Sequence, residues 1–290
     1  DFTMRLVVAV VGGLFPLAAW LYRDHLRDRE VVALGLFLAA DPILLYYSRF
    51  MRNDVIVAAF VFAALGCLLR AQRSGRSRYL YGAVGLFALA VTAKENAILY
   101  PVAIGGAVLL LFDHRLFLAR SGERPWTAVF MDSVTAVVGR LWRWRLPFLV
   151  AAVEFLTIVV FFYAPRASTP GALGLWTALA DPSMLPAVVE AGSIDAARTM
   201  VDSWVTGTHQ DHAFLPFLRD YLEVLGTASG AVALLAVLGF VADRYAGDRP
   251  RDIVALGFYW GAASVVGYPI AIDIRSAWAV VHAVVPLAIP

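Results

Sequence analysis

The sequence predicts an all-α protein: a polytopic bundle of transmembrane helices with a long extracytoplasmic loop that carries short helices. Of its 290 residues, 61% are hydrophobic and 16% are charged, whereas soluble domains have roughly 45–50% apolar and about 25% charged residues. The mean hydropathy is +0.73. The apolar residues are gathered in long runs that are apolar on all sides, which predicts membrane helices rather than amphipathic surface helices.

Nine hydrophobic segments are predicted to cross or enter the membrane. They are Leu6–Tyr22, Val31–Tyr47, Val55–Leu69, Tyr79–Thr92, Ala97–Phe112, Leu146–Tyr163, Gly230–Ala242, Ile253–Ile270 and Trp278–Pro290. Within the second segment, Pro42 follows Asp41, which predicts a kink or an early end of that helix, with Asp41 as its cap.

The distribution of lysine and arginine predicts the orientation of the segments. Four alternate connections, at residues 23–30, 70–78, 113–145 and 243–251, carry 16 of the 24 Lys and Arg residues, which places them in the cytoplasm. The extracytoplasmic face then holds Ser48–Asp54, Ala93–Asn96, the loop at 164–229 and Asp273–Ser276. We therefore expect the polar residues of these four stretches to share one face of the cell membrane.

The chain reads as a single transmembrane domain over residues 1–290. Residues 113–145, which contain Arg140-Leu141-Trp142-Arg143-Trp144-Arg145, are predicted to form a cytoplasmic interfacial linker, because arginines and tryptophans interleave there as at lipid headgroups. The chain opens with Asp1 directly before an apolar run and stops at Pro290 inside another, so we expect it to be a piece of a longer protein. The net charge of +2 does not indicate a nucleic-acid partner.

The first candidate site is the charged gap between the second and third segments, with Arg49, Arg52 and Asp54. A carboxylate at the mouth of a helix bundle can bind a metal ion, act as a base or pair with an arginine. Arginines there suit a phosphate group held by two hydrogen bonds. The alternative is a local Asp–Arg pair that closes a tight loop.

The second candidate is Lys94-Glu95, in the short connection between the fourth and fifth segments. Lys94 could hold a phosphate as a point charge, with Glu95 as its partner or as a second catalytic acid. The alternative is a short solvated turn.

The third candidate lies in the long loop, where His209 and His212 would share one face of a helical turn beside Asp211. Imidazole and carboxylate ligands together suit a divalent metal ion. The alternative is a solvated loop whose histidines cap a helix or form hydrogen bonds with the backbone.

Two further groups lie near the last segment. Arg275, in Asp273-Ile274-Arg275, is a candidate phosphate ligand, with an Asp–Arg pair at the interface as the alternative. His282 is interpreted as a core or interfacial histidine rather than a ligand. No P-loop, dinucleotide fingerprint, Cys-x-x-Cys or Gly-x-Ser-x-Gly motif is present, which argues against a transport ATPase or a soluble-type hydrolase.

In this order, the motifs resemble the GT-C superfamily of membrane glycosyltransferases, in particular protein O-mannosyltransferases and lipid A aminoarabinose transferases. Tyr47-Ser48-Arg49 with Asp54, Lys94 before a helix, and Arg275 before the last run carry the resemblance. More narrowly, Tyr47–Asp54, Lys94–Asn96 and the His209–His212 loop resemble a haloarchaeal family that is associated with flippase activity and protein N-glycosylation.

The resemblance implies transfer of a sugar from a polyprenyl-phosphate carrier to a protein or lipid acceptor on the extracytoplasmic side. It implies that Asp54 is a carboxylate of the catalytic cavity, that Lys94 and Arg275 hold the carrier phosphate, and that His209 or His212 matches a metal-ligating loop histidine. The acidic motif of the family lies in its first outer loop and would precede Asp1. A non-enzymatic part in translocating the lipid-linked sugar is the second hypothesis, and a structural membrane partner without a ligand is the third.

Overall fold

The computed structural model describes residues 2–120, 125–167, 169, 172–202, 213–246, 250–272 and 276–290. Among them, every regular element is helical, which confirms the predicted all-α fold. In chain order the α-helices are α1 (Phe2–Leu14), α2 (Asp28–Ala40), α3 (Pro42–Tyr47), α4 (Asp54–Ser74), α5 (Ser77–Ala93), α6 (Leu99–Arg120), α7 (Trp126–Arg143), α8 (Arg145–Tyr163), α9 (Leu175–Ala180), α10 (Leu185–Glu190), α11 (Ala196–Val201), α12 (Phe214–Tyr245), α13 (Asp252–Ala271) and α14 (Val281–Leu287).

Short 3₁₀ and π segments extend or join several of these helices. The 3₁₀ segment Phe15–Tyr22 continues α1, Glu95–Ile98 leads into α6, and Ala277–Val280 leads into α14. The π-helical turn Ala191–Asp195 joins α10 to α11.

Six helical stretches in the described part of the chain are long and apolar enough to cross a membrane. They are Arg5–Tyr22, Asp54–Ser74, Glu95–Asp113, Arg145–Tyr163, Phe214–Tyr245 and Asp252–Ala271. Ser77–Ala93 and Ala277–Leu287 are apolar but shorter. The second predicted segment is not one continuous helix.

That segment breaks at Asp41, as the Asp41-Pro42 sequence predicts. The helix α2 ends at Ala40, and Pro42 opens α3, where the missing proline N–H removes no helical hydrogen bond. The Asp41 carboxylate caps α3 because its Oδ1 accepts hydrogen bonds from the backbone N–H groups of Ile43 (2.9 Å) and Leu44 (3.1 Å).

The structure also differs from the predicted segments at α12. This helix runs from Phe214 to Tyr245, so that it joins the end of the predicted loop to the predicted segment Gly230–Ala242. Its only change of direction within the described residues is at Ser229, whose φ and ψ are −127° and 23°. The last part of the loop predicted at 164–229 is therefore the beginning of a long helix rather than a short surface helix.

The helix α4 lies at the centre of the bundle, and its neighbour α5 runs back beside it. The turn between them begins at Gly75, which adopts a left-handed φ of 67° and ends α4 in the way that glycine favours. Because α4 and α5 are antiparallel and of similar length, the start of α4 and the end of α5 lie at the same end of the bundle. This geometry brings Asp54 and Lys94 together.

The last helices close the bundle from the other side of α4. All seven residues of α14 are buried, and α14 packs on α13, α4 and α12. Tyr221 of α12 donates a hydrogen bond to the carbonyl of Ala279 at 3.1 Å, which fixes the 3₁₀ segment before α14. This packing places His282 in the centre of the bundle.

Candidate functional site

Asp54 is the centre of a buried ionic cluster at the first turn of α4. Its side chain is fully buried, and its Oδ1 accepts a hydrogen bond from Lys94 Nζ at 2.8 Å. Its Oδ2 accepts a hydrogen bond from Arg52 Nε at 3.1 Å. A buried carboxylate is strongly disfavoured unless it is paired, and the two cations supply that pairing.

The loop before α4 and the end of α5 are fixed to each other by a side-chain hydrogen bond. Asn53 Nδ2 donates to the carbonyl oxygen of Ala93 at 2.7 Å. Lys94 follows in an extended conformation (φ −163°, ψ 136°), which ends α5 and lets the next 3₁₀ segment begin. The lysine side chain is therefore directed towards Asp54 by the backbone on both sides.

Both cations also lie over one aromatic ring. Lys94 Nζ is 4.0 Å and the Arg52 guanidinium carbon is 4.7 Å from the ring centroid of Trp278. These distances are within the range of cation–π attraction. The indole Nε1 of Trp278 is buried and has no hydrogen-bond partner among the described residues.

His282 completes the cluster from the interior side. Its Nε2 is 3.4 Å from Asp54 Oδ1, and its Nδ1 is 2.5 Å from the hydroxyl of Tyr100. The imidazole ring is stacked on Tyr268, with centroids 4.5 Å apart and an angle of 7° between the planes. The side chain is fully buried, as the core interpretation of His282 requires, and its pairing with Asp54 was not predicted from the sequence.

One feature of the sequence could have indicated a polar partner for His282. A histidine within an otherwise apolar run of valines and alanines needs a polar partner, because burying an unpaired imidazole is costly. The partner is Asp54, which lies 228 positions earlier in the sequence. Only the fold shows that the two residues are paired.

The cations of the cluster are more accessible than the carboxylate. Side-chain exposure is 36% for Arg52 and 20% for Lys94, against 0% for Asp54. Arg52 contacts the carboxylate through Nε, so the outer edge of its guanidinium faces away from Asp54. The arrangement holds two positive charges beside each other at a partly open surface, which suits an anionic oxygen ligand such as phosphate.

The other predicted site residues are distributed as follows. Glu95 is exposed directly after Lys94. Arg49 is exposed and lines a cavity of about 290 Å³ formed with α1, α2 and α3, rather than the Asp54 cluster. The predicted metal ligands His209, Asp211 and His212, and the predicted phosphate ligand Arg275, lie outside the described residues.

The candidate metal site therefore stays a prediction. Within the described ranges, no group of three or more His, Cys, Asp and Glu side chains is arranged to hold a metal ion. Since the predicted ligands fall outside those ranges, this observation does not bear on them.

A comparison with known protein families finds a match to the first part of the chain. The family model of dolichyl-phosphate-mannose-protein mannosyltransferases matches residues 1–138. The matched part is slightly less than half of the 290 residues, and it contains Arg52, Asp54 and Lys94 but not Trp278 or His282. No curated protein and no solved structure matches the chain.

This match supports a membrane glycosyltransferase of the GT-C type, the superfamily that the order of motifs resembles. The six apolar helices support a membrane location. The narrower haloarchaeal family is not supported by the match.

Proposed function

We propose that this protein transfers a sugar from a polyprenyl-phosphate carrier on the extracytoplasmic side of the cell membrane. The observation that carries the proposal is the pairing of Lys94 and Arg52 on buried Asp54, at the end of a membrane helix, inside the region similar to dolichyl-phosphate-mannose-protein mannosyltransferases. Two neighbouring cations at the end of a membrane helix provide a binding site for the phosphate of a lipid carrier.

In this reaction an acceptor oxygen attacks the anomeric carbon of the carrier-bound sugar, and the bond between that carbon and the phosphate oxygen breaks. The electron pair of the broken bond goes to the carrier phosphate, which gains negative charge. Lys94 and Arg52 stabilise that charge because they are already fixed in place by Asp54. Attack from the face opposite the phosphate inverts the anomeric carbon.

The proton of the acceptor hydroxyl must pass to a base. Both Asp54 oxygens already accept hydrogen bonds from cations, so Asp54 acts by holding Lys94 and Arg52 in position. Glu95 is exposed beside Lys94, and we assign it the role of the base. Arg275 is proposed as a second phosphate ligand and Arg49 as a contact to the carrier outside the central cluster.

A divalent metal held by His209, Asp211 and His212 would add positive charge near the leaving phosphate. This part of the proposal rests on the resemblance. It is tested by assaying transfer after treatment with a chelator and after the return of single divalent metals.

The decisive experiment is sugar transfer by the full chain in proteoliposomes that contain a labelled polyprenyl-phosphate sugar. Lys94→Gln keeps a hydrogen-bond donor but removes the charge, so we expect transfer to fall by about 10²–10³-fold, the typical loss when one group that stabilises developing charge is removed. Arg198→Gln is the matched control, because Arg198 is exposed and its ion pair within the described part of the chain is the local one with Asp195 at 3.0 Å.

The same preparation separates the enzyme from a component of lipid-linked sugar translocation. Asp54→Asn should abolish transfer while the labelled carrier still reaches the outer leaflet. If Asp54→Asn instead blocks the appearance of the carrier in the outer leaflet and leaves transfer of pre-exposed carrier intact, the translocation function replaces the enzymatic one.

A further inference from the structure

A large cavity lies at the opposite end of α4 from Asp54. Its volume is about 630 Å³, and it is enclosed by the turn between α4 and α5 and by the elbow where α7 meets α8. The helix α4 has 21 residues and rises about 1.5 Å per residue, so its two ends are roughly 30 Å apart. This cavity is therefore separate from the Asp54 cluster.

One face of α7 forms a wall of the cavity. Ala136, Gly139, Arg140 and Arg143 all line it, and their spacing of three and four residues places them on one side of a helix. The small residues Ala136 and Gly139 leave room in front of the two arginines. A ligand can therefore reach both guanidinium groups.

The cavity is positively charged and contains neutral hydrogen-bonding groups. Arg140 and Arg143 are exposed, and none of the described residues that line the cavity is acidic. Gln72, Thr135 and Trp144 add neutral polar groups to the lining. Two arginines without a neighbouring carboxylate favour an anion with several oxygens, such as a phosphate.

The surroundings of the cavity place it at the depth of lipid headgroups. The helix α7 exposes large apolar side chains along its length, among them Trp126 (52%), Met131 (56%), Val138 (59%) and Trp142 (71%). Exposed apolar residues and arginines on one helix are typical of a helix that lies in the membrane interface. The arginines of this wall then lie level with phosphate groups.

An apolar path continues from the cavity into the membrane. Leu68 and Leu80 line the cavity and also line an adjacent apolar groove of about 260 Å³ between α4, α5 and α6. The groove has almost no polar surface and reaches Tyr100. The pair of spaces is thus charged at one end and apolar at the other, like a phospholipid.

We propose that this cavity binds an anionic phospholipid, with its phosphate between Arg140 and Arg143 and an acyl chain against Leu68 and Leu80. The charge of the cavity selects the headgroup, and the groove selects a lipid over a soluble phosphate. The proposed headgroup site does not depend on the proposed transfer reaction, because Arg140 and Arg143 lie at the other end of the bundle and do not belong to the Asp54 cluster.

The test uses the full chain purified in a neutral detergent, with its thermal unfolding followed as phosphatidylglycerol or phosphatidylcholine is added. We expect phosphatidylglycerol to raise the melting temperature and phosphatidylcholine to have little effect. Replacing both arginines (Arg140→Gln and Arg143→Gln) should weaken the apparent affinity for phosphatidylglycerol by about tenfold or more, since each basic residue at a membrane surface contributes about a fivefold preference for anionic lipid.

Two further variants keep the proposal testable. Gly139→Leu fills the cavity without changing its charge, and an added Cβ there meets no atom within 4 Å, so the variant should fold and still lose the effect of phosphatidylglycerol. Arg145→Gln is the matched control, because Arg145 lies over Trp142, 4.5 Å from the ring centroid, and does not line the cavity.

Three outcomes would overturn the proposal. Equal stabilisation by phosphatidylcholine would remove the selectivity for charge. Equal stabilisation by inorganic phosphate would show an anion site without a lipid. An equal loss in Arg145→Gln would show a general attraction of the surface for anionic lipid rather than a site.

Discussion

His282 Nε2 lies 3.4 Å from Asp54 Oδ1, and both side chains are fully buried. When the imidazole carries its proton on Nε2, it donates to Asp54 Oδ1, and Nδ1 accepts the hydrogen bond from the hydroxyl of Tyr100. The carboxylate that holds Lys94 and Arg52 is thus itself positioned from the interior by a histidine and a tyrosine. The ionic cluster is supported on both sides.

The first prediction concerns this interior support. Tyr100→Phe removes the hydroxyl that holds His282 and leaves a buried Nδ1 without its donor, which should lower the free energy of unfolding by about 1–3 kcal/mol. Sugar transfer should fall as well, through kcat more than KM, because Asp54 loses a fixed neighbour while Lys94 and Arg52 remain. Unfolding in detergent and steady-state kinetics measure the two effects.

Tyr163→Phe is the control for Tyr100→Phe. Its hydroxyl donates to the carbonyl of Val91 at 2.9 Å, which is also a side-chain bond to another helix. The Tyr163→Phe variant should lower the free energy of unfolding without changing kcat. Equal kinetic effects of the two variants would mean that Tyr100 contributes only to folding.

The second prediction concerns the ring beneath the two cations. Trp278→Leu keeps an apolar side chain but removes the π-system near Lys94 and Arg52, and with it an attraction of about 0.5–2 kcal/mol for a cation. We expect the KM for the carrier to rise by about threefold to thirtyfold, while Trp278→Phe, which keeps a ring, should retain part of the wild-type value. A KM in Trp278→Phe that is as high as in Trp278→Leu would assign the effect to the indole N–H instead.

The third prediction concerns the contact between α13 and α14, which holds His282 in place. Gly257 and Gly261 lie one turn apart on α13 and face α14, and an added Cβ at Gly257 would be 2.8 Å from Ile289 Cβ and 3.1 Å from the carbonyl oxygen of Pro286. Small residues allow such close approach of membrane helices. Gly257→Ala should therefore lower stability by about 1–3 kcal/mol.

Gly267→Ala is its matched control on the same helix, because an added Cβ there meets no atom within 4 Å. Alanine is the better helix former, by up to about 1 kcal/mol, so this variant should be neutral or stabilising. Thermal unfolding of the two variants in one detergent decides between steric contact and helix propensity. A loss of stability at Gly267 as large as at Gly257 would contradict the packing explanation.

The hydrophobic runs predicted the helical fold well because apolar composition and helix length are local properties of the sequence. The break at Asp41-Pro42 could be predicted for the same reason, since proline and its capping residue act within a few positions. The long course of α12 could not, because its first turns, around Phe217 and Tyr221, are buried by contacts with distant residues. Local polarity gives no indication of such contacts.

In the candidate site, too, some features could be predicted from nearby residues and others depend on distant contacts. The orientation predicted from lysine and arginine placed Asp54 and Lys94 on one face of the membrane. In the structure, Lys94 Nζ lies 2.8 Å from Asp54 Oδ1. Arg49 and Arg52 are three positions apart in sequence, yet only Arg52 contacts Asp54, because the local turn sends the two side chains in different directions. Trp278 and His282 come from the far end of the chain, and nothing in their neighbouring residues indicates charged partners.

The last prediction concerns His25, in the turn after the 3₁₀ segment Phe15–Tyr22, at the end of the bundle away from Asp54. Partial burial lowers the pKa of His25, and the nearby cation of Arg73 lowers it further, while Asp24 and Asp252 act in the opposite direction. The folded protein therefore binds a proton at His25 less readily than the unfolded chain does. The contribution of His25 to the free energy of unfolding is complete above the ordinary histidine pKa of about 6.5. It is lost as the pH falls below that value and through the lower pKa of the folded protein.

His25→Gln removes the titrating group and keeps a neutral polar side chain, so the loss of stability between pH 7.5 and pH 5.5 should be smaller in the variant than in the wild type. The difference between the two proteins isolates the effect of His25, because the other histidines are the same in both. Chemical unfolding at the two pH values measures it. A variant that loses as much stability as the wild type, or more, would show that folding does not lower the proton affinity of His25.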